Sequence, residues 1–121
     1  MRAVALVLAL VGPLPLSAHD GVHSPDVLAT INAAFVSGDR VTVHLVLTGL
    51  GGPLVLTGFG AQGANAVPIN PVYVDFAQDV PLEAALDFSG GVPGVFTLML
   101  HFGPVGQGGV VVIPTAGPAE D

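Results

Sequence analysis

Residues 41–48 read VTVHLVLT. Val41, Val43, Leu45 and Leu47 take every second position, with Thr42, His44, Val46 and Thr48 between them. A period of two belongs to a β-strand that buries one face, because successive side chains of a strand point to opposite sides. This one stretch sets the fold class, and the segments around it repeat its character. On its N-terminal side, VLATINAAF (residues 27–35) reads as a preceding strand joined through the turn SGDR. On its C-terminal side GLGG turns the chain into PLVLTGF, followed by a weaker run, ANAVPI, and by PVYVDFA (residues 71–77).

Two further segments alternate as cleanly. PLEAALDF (residues 81–88) sets Leu82, Ala84, Leu86 and Phe88 inward, with Glu83, Ala85 and Asp87 outward. VFTLMLHF (residues 95–102) sets Phe96, Leu98, Leu100 and Phe102 inward, leaving Thr97, Met99 and His101 on the other face. GPVGQGG then leads into VVVIP, the last strand of a closing hairpin. Seventeen glycines and eleven prolines punctuate these short runs, and no long helical period appears. Seven to eight short strands at this spacing predict an all-β fold, a small antiparallel Greek-key β-sandwich.

The N-terminus has a different composition. Met1 and Arg2, the apolar run AVALVLALVGPLPL and the small residue Ala18 follow the layout of a secretory signal peptide over residues 1–18. The apolar run is too short to span a bilayer, which takes about 20 residues. The expected organisation is a signal over 1–18, a flexible segment over 19–26, a sandwich domain over 27–114 and an acidic tail over 115–121. The protein is then periplasmic or secreted, with no membrane segment after processing.

Beyond that leader Arg40 is the only basic side chain, against nine carboxylates. One arginine cannot neutralise a phosphate backbone or an anionic lipid surface, so nucleic acid and membrane are not expected partners. No serine or cysteine stands in a nucleophile elbow and no glycine-rich loop opens a helix, so the chain is not expected to be an enzyme. Acidic pairs such as Asp75 with Asp79 and Glu83 with Asp87 read as solvated.

Four histidines, one methionine beyond the leader and no cysteine remain. Imidazole and thioether both ligate copper, and thioether selects Cu(I). Avoiding thiols suits a copper carrier in an oxidising compartment. The candidate metal ligands are His19 and His23 near the processed terminus, His44 on its strand, and Met99 with His101, two apart on one strand face. His44 joins that pair as a third ligand only if its strand is a neighbour. The terminal histidines and the sheet residues form either one shared site or two separate ones, and both are open. The absence of cysteine excludes blue-copper electron transfer. An oxidative brace built on His19 is disfavoured, since Tyr73 is the only tyrosine and tryptophan is absent.

SAHDGVHSPD (residues 17–26) and VPGVFTLMLHFGPVGQGGVVVIP (residues 92–114) resemble the opening stretch and the closing hairpin of periplasmic copper chaperones of the PCuAC type, with a fainter match over LVLTGFGAQGANAVPI (residues 54–69). The resemblance implies a cupredoxin-like sandwich, a bound copper ion and a copper-accepting protein as partner. The chain departs from that family's His-x-Met signature. Only the reversed Met99-Leu100-His101 occurs, and Asn70 and Pro71 follow ANAVPI where a histidine is expected. No family ligand transfers by position. A second function class fits the same composition, an adhesion or assembly domain pairing through a sheet face or edge, with itself or with a partner.

Overall fold

The computed structural model describes residues 26–116, together with the backbone of Leu14–Pro15. Its strands in chain order are β1 (Leu14–Pro15), β2 (Val27–Ser37), β3 (Arg40–Gly49), β4 (Leu54–Leu56), β5 (Gly58–Gly60), β6 (Asn65–Ala66), β7 (Val72–Val74), β8 (Asp79–Asp87), β9 (Phe96–His101), β10 (Gln107–Val112) and β11 (Thr115–Ala116). Among the described residues there is no α-helix, and one 3-10 turn spans Gly103–Val105. The fold is the all-β sandwich that the alternating segments predict.

One sheet runs β11-β2-β3-β8-β6, with β1 also paired to β2, and a second runs β10-β9-β5. β4 and β7 form a small two-stranded ladder. β3 and β8 are hydrogen-bonded neighbours although the chain between them leaves for other sheets and returns, which gives the sandwich its Greek-key character. All pairings are antiparallel except β11 on β2 and an isolated bridge between Gly49 and Phe76.

The inward set drawn from alternation supplies 11 of the 20 buried core residues. Val41, Val43, Leu45 and Leu47 from β3 and Leu98 and Leu100 from β9 are all essentially inaccessible, in one cluster with Leu86, Phe88, Phe96 and Phe102. Each such side chain contributes about 1.5–3 kcal/mol by leaving water. Leu82, expected inward, is only half-buried at the margin of this cluster.

Four local features differ from the expected pattern. β2 runs two residues further than expected and carries a bulge between Ile31 and Ala33. The extra residue, Asn32, shifts the inward phase from Val27 and Ala29 to Ala34, a change that no simple alternation could show. PLVLTGF splits at Thr57, whose amide and hydroxyl both donate to the His101 carbonyl at 2.8 and 3.1 Å. ANAVPI and PVYVDFA yield only β6 and β7, since Pro68 and Pro71 carry no N–H for a ladder. Thr115 and Ala116, expected in a loose tail, lie alongside Phe35 and Val36 as β11, with the Thr115 hydroxyl donating to the Ala34 carbonyl.

Candidate functional site

β3 and β8 place three polar pairs on the outer face of the six-stranded sheet. Their register sets Arg40 opposite Asp87, His44 opposite Glu83 and Thr48 opposite Asp79. Arg40 holds the Asp87 carboxylate through both Nε and Nη2, at 2.7 and 2.9 Å. The Thr48 hydroxyl donates to Asp79 Oδ1 at 2.7 Å. Between them His44 Nδ1 lies 3.4 Å from Glu83 Oε2. Its ring meets Phe35 edge-on, with centroids 6.0 Å apart.

Asp79, Glu83 and Asp87 are solvent-accessible, as expected, and each also faces a polar partner across the ladder. The signal was present in the sequence as matching four-residue steps, 40, 44, 48 and 79, 83, 87. It becomes visible only when β3 and β8 are known to pair in that register. The hydrogen bonds from Arg40 hold the Asp87 carboxyl below its ordinary value, and the same pairing raises the Arg40 guanidinium. Arg40 is the one basic side chain among the described residues, and it is engaged. No free cation remains there for an anionic ligand.

Met99 and His101 stand on the outer face of the other sheet. Leu98 and Leu100 point inward between and beside them, so both project outward from β9. Each has glycine neighbours across the ladder. Met99 is flanked by Gly60 on β5 and Gly109 on β10, and His101 by Gly58 and Gln107. The missing side chains leave a shallow floor. A Cβ at position 60 would sit 3.9 Å from His101 Nε2, and one at position 109 would sit 3.0 Å from Met99 Sδ. His101 thus leans toward β5 and Met99 toward β10. Closing both on one ion takes a rotamer change, which the unbranched methionine makes easily.

The two outer faces lie on opposite sides of a single core. About 10 Å of packed side chains separates the sheets, so His44 cannot complete a site with Met99 and His101. The condition for a three-ligand site with His44 is not met: β3 and β9 belong to different sheets, Met99 and His101 share one face of β9, and His44 is a member of the β3–β8 ladder. Among the described residues no three His, Cys, Asp or Glu side chains converge. His19 and His23, with most of the expected signal and flexible segment, lie outside the described residues.

An open depression of about 340 Å³ adjoins the bulge, lined by Asn32, His44, Leu45, Pro81, Leu82 and Glu83. Its imidazole and carboxylate already face each other.

The sandwich is similar to a solved structure, the cupredoxin domain of amoB from Nitrosocaldus yellowstonii, with a TM-score of 0.45 and 19% sequence identity over 69% of this chain. The chain spans 60% of that domain's length. No protein-family profile and no curated protein matches the sequence.

Proposed function

We propose that the protein is an exported, periplasmic or secreted, copper-binding protein that carries or buffers the ion and passes it to an accepting protein. Met99 and His101 are the donors on the sandwich. His19 and His23 form a separate terminal site. The observation that carries this reading is the pairing of a thioether and an imidazole on one face of β9, over a floor of Gly58, Gly60 and Gly109. That donor set suits Cu(I), and neither group is consumed by disulfide formation in an oxidising compartment. Two protein donors leave an ion coordinatively open, which suits transport better than permanent storage. The role is binding, with no catalytic step.

The test is a Cu(I) titration against a chromophoric chelator. Wild type competes for the ion, and Met99→Ala with His101→Ala removes the sandwich site. His19→Ala with His23→Ala removes the terminal one. A wild-type protein that takes no copper from the chelator overturns the reading.

A second reading, an assembly domain without metal, has one observation in its favour. Val95, Val111 and Ile113 are more than half exposed, at 56, 54 and 63%. Association that chelators leave untouched, in a protein that binds no copper, would establish it.

A further inference from the structure

Charge is distributed unevenly over the two outer faces. Asp26, Asp39, Arg40, Asp75, Asp79, Glu83 and Asp87 are the charged residues between 26 and 116, and every one lies on or beside β2, β3 or β8. Residues 41–74 and 88–116 contain no Asp, Glu, Lys or Arg. The three-stranded sheet β10-β9-β5 is drawn wholly from those two stretches. Its outer face also has two contrasting ends. One end carries Thr97 and Val111, which pair across the ladder, with Val95 and Ile113 continuing the alternation beyond them. The other is floored by Gly58, Gly60 and Gly109.

We infer that two copies of this chain meet through the outer face of the β10-β9-β5 sheet, where their Met99 and His101 side chains complete one another's metal coordination. The occupant follows from charge. A chain of net charge −7 repels its own copies, and this face carries none of the repelling carboxylates. A like-charged copy is therefore tolerated here and opposed at the β3–β8 face, where Asp79, Glu83 and Asp87 would meet their counterparts. Shape agrees. A two-fold axis through the glycine-floored end sets the two Met99–His101 pairs against each other, with the apolar ends flanking them, in a self-complementary contact of the kind that closes a dimer.

The donors supply a second reason. Met99 and His101 lean to opposite sides of β9, and among the described residues one chain offers only those two on this face. A second copy brings two more to the same place, so an ion held there has four donors without a large rearrangement of either chain. This metal-completing role rests on the copper-binding reading; the interface itself does not.

Sedimentation velocity on the purified chain, with and without Cu(I), tests it. The expected result is a two-chain species that Cu(I) strengthens; in the His19→Ala, His23→Ala variant, which lacks the terminal site, it saturates at one ion per pair of chains. Val111→Glu puts a carboxylate on the face of both copies and weakens association at least about tenfold, while the single chain keeps its fold because the position is exposed there. Thr42→Glu, on the opposite face, leaves association intact. A chain that stays monomeric with and without Cu(I), or a His19→Ala, His23→Ala chain that binds one ion per monomer, overturns the inference; the second result leaves the copper reading standing. A chain that pairs, loses pairing with Val111→Glu and takes no copper sustains the interface and removes the copper reading.

Discussion

Met99 stands directly across the ladder from Gly109, and its sulfur lies 3.0 Å from where a β-carbon at 109 would be. The same β-carbon would come within 2.8 Å of the Thr97 Cγ2 methyl. Glycine at 109 is therefore the reason that the thioether can lie flat along the sheet. Gly109→Ala pushes Met99 aside and crowds the stiffer Thr97. The expected cost is about 1 kcal/mol, at the low end of overpacking, read from urea unfolding. Cu(I) affinity at the β9 site changes in the same variant, while a copper site at His19 and His23 keeps its affinity. A variant that displaces Met99 without altering Cu(I) affinity would count against Met99 as a donor.

His44 belongs to the opposite face. His44→Ala loses a half-exposed pair with Glu83, and exposed pairs contribute under about 1 kcal/mol. The variant should titrate with Cu(I) as wild type does, with unfolding shifted only slightly. A drop in copper stoichiometry on losing His44 would mean that the two faces do not act separately.

Gly49 is the tightest backbone approach in the fold. A Cβ there would lie only 2.0 Å from the Asp75 carbonyl oxygen. Gly49 also accepts from the Ala77 amide at 2.8 Å and donates to the Gln78 carbonyl at 3.0 Å, fixing the turn that feeds β8. Gly49→Ala forces backbone rather than a flexible side chain to move. A loss of about 2–3 kcal/mol is expected from overpacking, measured by chemical denaturation. Gly52→Ala, with open space around its Cβ position, is the control and should cost far less.

Acid sensitivity follows from Asp87. Its folded-state value is lowered by the hydrogen bonds from Arg40, so the pair adds stability above the ordinary aspartate range. That contribution is lost as pH falls through the lowered folded value, below about pH 4. Melting temperatures of wild type and Asp87→Asn should differ at neutral pH and converge as the buffer is taken below that point. A gap that persists in strong acid would show that the pair's charge is not its source. High salt should narrow the neutral-pH gap, because both groups are exposed.

The period-two segments at 41–48, 81–88 and 95–102 contain the fold class and just over half of the core, 11 of its 20 buried residues. Burial of one face is a local property of a strand, so alternation alone identifies Val43, Leu45, Leu98 and Leu100 as interior. The same alternation puts Met99 and His101 together on the outside, since two residues apart on one strand need no tertiary information. Composition likewise shows that thiol chemistry is absent. Pairing is a different matter. Which strand lies beside which depends on contacts between residues far apart in the chain, and those decided three things. Register turned Asp79, Glu83 and Asp87 into partners of Thr48, His44 and Arg40. The bulge at Asn32 reversed the phase of β2. Sheet membership set His44 and the Met99–His101 pair on opposite sides of the core, because β3 and β9 bury their apolar faces against one interior and must turn their other faces away from each other.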